Sequence, residues 1–587
     1  MNIGKTIPEN FIAQSELYQN KSALMHKQNG VYVSITYREL RLLVKSCANG
    51  FINECRLVNG DTVALSSENR PEWVIADMGI MHAGGIVVPI HTNLAPRLFA
   101  HILNDSKARI IIISSQEMFA KLLQIIKEVP HLEYIVTIFE CGGNCRRTDL
   151  CGKTILRFAD VCATNKLELQ DTLVETEPGP DSIATIVYTS GTTGLPKGVP
   201  LTHKNICSDV LGTNARIPVL QGDVFLSFLP LSHVLERTAG YYMPILQGAT
   251  IAYAESYKDL LKNVKEVRPT VIIAIPRFYE KIYDKIWQNV KKKSFLGQKL
   301  FYFTLRATSR TFGYRIMKKI LTAGITRNFG GRLRILVSGG APLDARIAGF
   351  LDKIGLVVYE GYGLTETAPI ISVNYSENNS YGTVGKKLEN CEIILAADKE
   401  ILVRGPMVFS GYWGSVSDNR SPIDSDGWFH TGDLGFIDDR GYMSIIGRKK
   451  EVAVSTLGNK IWPEHIEKNL NIHPAISQSI IIAHNRKYVT ALIVPHWHYI
   501  AEIVSGRSRL AEKSKDLARD TAVVAYFKNI IDGINRDMSS HEKIYNFYLL
   551  ENEFTTDNEE LTPTQKLCRS VIEHRYHREI EDMYRVN

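Results

Sequence analysis

A run of twelve residues, Tyr188 to Val199, packs three glycines, four Ser or Thr hydroxyls and one lysine behind an apolar stretch. Glycines let the backbone approach a ligand closely, and exposed N–H groups in such a turn form an anion-binding nest. The hydroxyls and the Lys197 ammonium would add further donors, so this chemistry suits a polyphosphate. The run is not a Walker A loop, because Lys197 is followed by Gly198 rather than by Ser or Thr.

The elements that must position this loop are four apolar runs, each ending in small or polar residues. They are predicted strands at residues 184–188, 270–275, 334–337 and 356–359, separated by longer helix-compatible stretches. This rhythm is typical of a doubly wound parallel sheet, where ligands bind beyond the carboxyl ends of the strands. We therefore expect the four loops to converge on one ligand.

The length of 587 residues predicts more than one domain. A hairpin-like strand ends at Gly447 and is followed by the charged residues Arg448 to Glu451, which indicates a boundary. We predict an α/β fold: a large N-terminal domain of doubly wound sheets, residues 1–447, and a small α+β C-terminal lid domain, residues 448–587.

Composition and charge narrow the class of protein. The net charge of +7 is modest against 69 basic and 62 acidic side chains, so nucleic acid is not implied as a partner. The start of the chain has no apolar core of signal-peptide length, and no window has the apolar length of a membrane span. These features predict a cytoplasmic protein.

Nine cysteines in a chain of this length do not predict a disulfide scaffold. Cys141, Cys145, Cys151 and Cys162 are close in sequence, and a zinc site is one interpretation of them. Their spacing contains no C-x-x-C pair, so a surface loop with reduced thiols is favoured.

A basic segment, residues 285–334, contains no Asp or Glu but many Lys and Arg residues interleaved with aromatic and aliphatic ones. This pattern favours peripheral contact with an anionic membrane. A helix packed on the domain, with a solvated basic face, is an equal alternative. Nucleic-acid binding fits the same pattern, but nothing else in the sequence supports it.

Tyr188–Val199, together with the boxes Tyr362–Thr367 and Trp428–Gly435, resembles the adenylate-forming superfamily of acyl-CoA synthetases, luciferase-type enzymes and peptide-synthetase adenylation domains. The resemblance implies ATP as substrate, with the phosphate loop and Lys197 on the β- and γ-phosphates. It implies that Tyr362 stacks on the adenine, that Thr365 donates to the α-phosphate or the carboxylate, and that Glu366 and Thr192 bind Mg²⁺. The further ATP-binding residues implied are Thr189, Ser190, Gly191, Thr193, Gly194, Gly339, Gly340, Ala341, Glu360 and Gly361.

The same resemblance extends across the C-terminal region. It implies that Asp433 accepts from the ribose hydroxyls and that Arg448 joins it there. Lys450 matches a hinge position, although a charged surface residue is the alternative. Lys460 matches an element that contacts nucleotide or CoA, and Lys566, in the tail Leu561–Arg569, matches the catalytic lysine.

Two boxes, Leu229–Arg237 and Ile275–Tyr283, resemble the long-chain branch of the acyl-CoA synthetases. The resemblance places His233 at the entrance of an acyl pocket, with an ordinary core histidine as the alternative. It implies a long-chain fatty-acid–CoA ligase that uses MgATP and takes coenzyme A as co-substrate.

Alternatives to this function stay open. Acyl carrier protein could replace coenzyme A as acceptor, or the enzyme could stop at the acyl-adenylate. A non-catalytic, membrane-associated homologue would be expected to lack Lys566 or Glu366, and both are present. A phosphotransferase that uses the glycine-rich loop would release ADP instead of AMP and pyrophosphate.

Overall fold

The computed structural model describes residues 2, 4–140, 147–163, 178–189, 195–292, 294–306, 322–376, 379–414, 422–504, 517–536, 538–556, 558–562 and 566–585. Strands are numbered in chain order. The structure has a large N-terminal domain built on parallel sheets and a smaller C-terminal domain, as the sequence predicts.

The first sheet places eight described strands in the order β10-β9-β4-β3-β5-β6-β8-β7. Its interior pairs are parallel, and the edge strands β10 and β7 run antiparallel to their neighbours. The strands are β3 (Thr62–Ser66), β4 (Ile86–Pro89), β5 (Ile110–Ile113), β6 (Tyr134–Thr137), β7 (Arg147–Leu150), β8 (Lys153–Arg157), β9 (Ile183–Thr189) and β10 (Lys197–Thr202).

The second sheet orders nine described strands as β17-β16-β15-β14-β13-β11-β12-β1-β2. The strands from β15 to β1 are parallel to one another, whereas β16, β17 and β2 pair antiparallel at the two ends of the sheet. The strands are β1 (Ser22–Gln28), β2 (Val31–Thr36), β11 (Val224–Ser227), β12 (Thr250–Tyr253), β13 (Val271–Ala274), β14 (Ile335–Ser338), β15 (Val358–Gly363), β16 (Ile370–Val373) and β17 (Lys386–Lys387).

Smaller antiparallel and mixed sheets complete the chain. In an antiparallel sheet, β20 carries most of the box Trp428–Gly435. The C-terminal domain is built on β24 to β26. The strands are β18 (Glu392–Leu395), β19 (Glu400–Arg404), β20 (Phe429–Ile437), β21 (Met443–Arg448), β22 (Ala453–Val454), β23 (Lys460–Ile461), β24 (Ile476–Ile482), β25 (Val489–Pro495) and β26 (Ile544–Leu549).

Helices cover the sheets, and several begin at the capping residues that local sequence predicts. Thr6, Thr36 and Thr202 each form a capping box with the residue three positions later. The helices are Ile7–Leu17, Tyr37–Cys55, Pro71–His82, Pro96–Asp105, Gln116–Ile125, Phe158–Val161, His203–Arg216, Met243–Leu246, Leu260–Val267, Pro276–Lys291, Phe295–Arg306, Ala345–Lys353, Pro463–Asn471, Trp497–Val504, Thr521–Asn535, Arg569–Arg575 and His577–Arg585, with a π-helix at Glu236–Tyr242.

The four strands predicted around the ligand loops are all present, but they belong to two sheets. The run at 184–188 is β9 of the first sheet, whereas the other three are β13, β14 and β15, which are neighbours in the second. Periodicity identifies a strand but not its sheet partner, so this division was not predicted.

The basic segment, residues 285–334, and the four clustered cysteines lie only partly within the described residues. The helix Phe295–Arg306 packs Phe301 inward and exposes Phe295, Tyr302 and Phe303 to solvent, while residues 307–321 lie outside the described ranges. Within those ranges no helix combines the length and apolar character needed to cross a bilayer. Of the four clustered cysteines, Cys141 and Cys145 are not described, and no metal-binding cluster occurs among the described residues.

A buried ion pair joins the two large sheets through the helices between them. The Arg237 guanidinium, on the π-helix, contacts Asp77 on helix Pro71–His82, and both side chains are at most 1% exposed. Asp77 also accepts from the hydroxyls of Tyr241 at 3.0 Å and Tyr242 at 2.9 Å. Burial raises the pKa of Asp77, and the Arg237 charge opposes this shift.

We expect Asp77→Ala to lower the free energy of unfolding by about 3–5 kcal/mol, because it leaves the Arg237 charge buried without its carboxylate. Urea denaturation followed by tryptophan fluorescence measures the change. Glu392→Ala is the control, because it breaks the Arg404–Glu392 pair at the surface, where the side chains are 43% and 62% exposed. Equal effects of the two substitutions would contradict this account of the pair.

Candidate active site

One cavity of about 1660 Å³ lies where the carboxyl ends of β14 and β15 meet the antiparallel sheet and the C-terminal domain. Its wall includes side chains from both domains, among them Tyr362, Asp433 and Lys566. The cavity exceeds the usual range of ligand pockets, about 300–1,000 Å³. It therefore has room for more than one substrate.

The loop after β14 supplies a flat, backbone-rich wall. Gly339, Gly340 and Ala341 line the cavity, and Gly340 has a φ of +81°, a conformation that favours glycine. Glu360, within β15, accepts from the backbone N–H of Leu343 at 3.1 Å and so holds the loop against the strand. Burial raises the pKa of Glu360 to about 7.

The predicted ribose residues form one hydrogen-bonded group. Asp433 and Arg448 are directly paired across β20 and β21, and the Arg448 Nε lies 3.1 Å from Asp433 Oδ1. The Tyr362 hydroxyl donates to Asp433 Oδ2 at 2.6 Å. Burial raises the pKa of Asp433, while the Arg448 charge and the Tyr362 hydroxyl oppose the shift. Residues from three separate parts of the sequence thus meet at one carboxylate.

Glu366 lies on the short 3₁₀ turn Thr365–Thr367 and faces the same cavity. Its Oε1 accepts from the Tyr412 hydroxyl at 2.9 Å, and the Lys197 ammonium lies 5.4 Å from the Tyr412 ring centroid. Tyr412 was not predicted from the sequence. The aromatic pair Tyr412-Trp413 after Gly411 is the only signal that could have drawn attention to it.

Lys566 enters the cavity from the C-terminal domain. Two hydrogen bonds hold its backbone against Thr562: the Lys566 N–H donates to Thr562 Oγ1 at 3.0 Å, and the Thr562 N–H donates to the Lys566 carbonyl at 2.8 Å. Surrounding protein lowers the pKa of the Lys566 ammonium, and the nearby Arg448 charge adds to the effect. The carboxylates of Glu464 and Asp433 oppose it.

The helix Pro463–Asn471 supplies cavity residues that sequence reasoning missed. Glu464, Glu467 and Lys468 line the wall, and Lys468 Nζ donates to the Leu343 carbonyl at 3.4 Å. This contact joins the C-terminal domain to the loop after β14. No local motif marks these residues, because their position depends on how the two domains meet.

His233 also lines the cavity, beside its apolar part. Its Nδ1 accepts from the backbone N–H of Leu235 at 3.3 Å, so a neutral ring carries its proton on Nε2. The Ser232 hydroxyl lies 2.7 Å from His91 Nδ1 on the same wall. Burial lowers the pKa of His233 to about 3 and that of His91 to about 4.

The structure thus brings most of the predicted site residues to one cavity. Thr189, Lys197, Gly361, Thr365 and Lys450 line it together with the residues above. The predicted phosphate-loop residues Ser190, Gly191, Thr192, Thr193 and Gly194 lie outside the described residues. Lys460 is on β23 and does not line the cavity, so its contact with nucleotide or CoA stays a prediction.

Comparison with known proteins identifies the class. A family model for AMP-binding enzymes matches residues 11–413, and a model for the AMP-binding enzyme C-terminal domain matches residues 450–587. The chain belongs to the AMP-binding enzyme family, which confirms the resemblance to adenylate-forming enzymes.

Curated relatives cover nearly the whole chain. Long-chain-fatty-acid–CoA ligase FadD15 of Mycobacterium tuberculosis is 32% identical over 95% of this chain and 93% of its own length. Fatty acyl-CoA synthetase A of Dictyostelium discoideum is 28% identical over 99% of this chain and 89% of its own.

Solved structures establish the fold. The anthranilate CoA ligase AuaEII in complex with anthranoyl-AMP superposes with a TM-score of 0.75 at 20% identity, covering 99% of both chains. The adenylation domain of a carboxylate reductase from Mycobacterium chelonae gives a TM-score of 0.77 at 19% identity, covering 99% of this chain and 91% of that one.

We expect His233 to stay neutral between about pH 5 and 8, because its pKa in the folded state lies far below that range. In the unfolded chain His233 is protonated below about pH 6.5, whereas in the folded chain it stays neutral until about pH 3. Protonation therefore stabilises the unfolded state, and the free energy of unfolding falls as the pH is lowered from 6.5 towards 3. NMR with ¹³C-labelled histidine, assigned by the resonance lost in His233→Gln, measures the titration. A His233 resonance that shifts near pH 6.5 would refute the assignment.

Proposed function

We propose that the protein is a long-chain fatty-acid–CoA ligase that forms AMP and pyrophosphate. The observation that carries the proposal is the single cavity, which joins Tyr362, Asp433, Arg448 and Lys566 to a long apolar compartment. The names of the similar relatives, which are ligases or synthetases of long-chain or fatty acyl substrates, support the same substrate class.

The apolar compartment follows from strand geometry. Successive side chains of a strand point to opposite faces. Val271 and Ile273 on β13, and Ile335 and Val337 on β14, therefore face the cavity, while Ile272 and Leu336 pack into the core on the other side. Val234, Leu235, Ala239 and Met243 from the π-helix region form the opposite wall. Each methylene buried there would contribute about 0.8 kcal/mol to binding.

The polar end would bind ATP. Asp433 can accept from ribose hydroxyls because each carboxylate oxygen has a lone pair beyond those engaged by Tyr362 and Arg448. The backbone of Gly339 to Ala341 leaves room for a flat base. Lys197 and Thr189 at the phosphate-loop ends supply donors for the phosphates.

In the first half-reaction, a carboxylate oxygen of the fatty acid attacks the α-phosphorus. The bond from that phosphorus to the bridging oxygen breaks, and pyrophosphate leaves with the electron pair. Both reactants are anions, so positive charge fixed at the α-phosphate stabilises the transition state. Lys566 and Arg448 would supply that charge, and Thr365 would donate a hydrogen bond.

The residues at Glu366 fit a magnesium ion. The Glu366 carboxylate faces the cavity, its Oε1 accepts from the Tyr412 hydroxyl, and hard oxygen ligands are what Mg²⁺ prefers. Glu366 would hold the ion, with Thr192 as a second predicted ligand outside the described residues. When bound, Mg²⁺ supplies charge that shields the departing pyrophosphate.

In the second half-reaction, the sulfur of coenzyme A attacks the carbonyl carbon of the acyl-adenylate. The bond from that carbon to the phosphate oxygen breaks, AMP leaves, and the thiol proton passes to solvent. Lys566 lines the cavity in the present arrangement, and in this proposal the C-terminal domain moves to admit the thiol. We place the hinge at Lys450, on the turn Lys449–Glu451, and the domain boundary at residues 447/448.

Two narrower expectations stay predictions. Acyl carrier protein could be the acceptor in place of coenzyme A. Peripheral contact with an anionic membrane is supported by Phe295, Tyr302 and Phe303, which are 69%, 45% and 52% exposed beside a sequence free of acidic residues.

Product analysis tests the proposed function directly. With ATP, Mg²⁺, palmitate and coenzyme A, we expect AMP, pyrophosphate and palmitoyl-CoA in equal amounts. ADP as product would instead identify a phosphotransferase, and acyl-AMP without thioester would identify an enzyme that stops at the adenylate.

We expect Lys566→Ala to slow acyl-adenylate formation by at least about 10²–10³-fold, because it removes a charge from the transition state. Thioester formation from pre-made acyl-AMP should be spared, because that step does not need the lysine. Pyrophosphate exchange and thioester assays separate the two steps, with Lys487→Ala, an exposed lysine of the same domain, as control. Equal loss in both steps would show that Lys566 is not specific to adenylation.

A further inference from the structure

The apolar compartment runs the whole length of three neighbouring strands. Ser338 and Gly339, at the carboxyl end of β14, face the polar part of the cavity, whereas Ile335, at its amino end, still lines the wall. Phe225 and Val271 occupy the corresponding positions near the amino ends of β11 and β13. The compartment therefore reaches the edge of the sheet opposite the nucleotide.

A short segment lies across this opposite edge. Residues Ile217 to Asp223 connect helix His203–Arg216 to β11, and Ile217 and Val219 line the cavity. Leu220, the next residue, is 52% exposed and points to solvent. One side of the segment thus faces the compartment and the other faces water.

A buried carboxylate fixes this segment to the sheet. Asp223, Thr270 and Arg334 each stand one position before the neighbouring strands β11, β13 and β14. Asp223 is 3% exposed and accepts from Thr270 Oγ1 at 2.7 Å and from the Leu220 N–H at 2.7 Å. Both Asp223 oxygens are also contacted by the Arg334 guanidinium.

Further hydrogen bonds hold the same segment at its other end. Arg334 donates to the Pro218 carbonyl at 3.0 Å, and the Val219 N–H donates to Asn214 Oδ1 at 2.9 Å. Val219 is therefore held between two anchored neighbours. These hydrogen bonds therefore oppose displacement of Val219 by a bound acyl chain.

We propose that the segment Ile217–Asp223 is the floor of the acyl compartment and sets the longest fatty acid that the enzyme accepts. The proposal rests on the proposed function, because it requires an acyl chain in the compartment. The carboxylate is held at the polar end for reaction, so each added methylene extends the chain towards Val219. A chain that reaches the floor gains no further burial and must displace the Asp223–Arg334 contacts.

The test is the dependence of kcat/KM on chain length, from octanoate to behenate, in a pyrophosphate-release assay. Val219→Trp fills the floor and should lower kcat/KM for palmitate by about tenfold or more, since each lost methylene contact is worth about fourfold. Octanoate, which does not reach the floor, should be unaffected. Leu220→Trp adds the same ring one residue away on the solvent side and should leave the profile unchanged.

Ile217→Ala makes the opposite change, and it still tests the proposal if the Val219→Trp variant fails to fold. It deepens the floor and should shift the optimum to longer acids. An unchanged profile in Ile217→Ala and in an active Val219→Trp enzyme would overturn the floor assignment while leaving the ligase function intact. A wild-type enzyme that activates none of these acids would overturn the proposed function and the floor together.

Discussion

The alternation of side chains along β11, β13 and β14 is the constraint on which the rest of the structure depends. One set of alternate residues must pack against helices, and the other set must line a compartment long enough for hydrocarbon. At its carboxyl edge β14 ends in a loop whose glycine-containing backbone lines the polar end of the cavity. In the proposed function, this short parallel strand would contact the acyl chain along its length and the nucleotide at its carboxyl end.

The two ends of the cavity are built by different kinds of interaction. At the polar end, Tyr362, Asp433 and Arg448 form a charged and hydrogen-bonded group whose members come from distant boxes of the sequence. At the apolar end, aliphatic side chains form the walls and the charged residues Asp223 and Arg334 are behind the floor rather than in it. Among the described residues that line the cavity, the charged side chains lie at its polar end.

The C-terminal domain contributes side chains to the wall of the cavity and does not merely cover it. Lys566 and Lys468 reach the cavity from two separate parts of that domain, and Lys468 contacts the loop after β14. In the proposed mechanism, positive charge at the α-phosphate would come from this domain, which would move between the two half-reactions. This arrangement is suited to two reactions that share an intermediate but require different groups near it.

The sequence alone determined the α/β class, the strands around the ligand loops and most residues at the polar end, because glycine-rich turns and ordered motifs carry local chemical requirements. It did not determine that β9 belongs to a different sheet from β13 to β15, nor that Tyr412, Glu464 and Lys468 line the cavity. Those positions depend on contacts between residues far apart in the chain, which have no local pattern. The proposed floor at Ile217–Asp223 is the clearest case, because Asp223, Thr270 and Arg334 become partners only when three parallel strands align their amino ends.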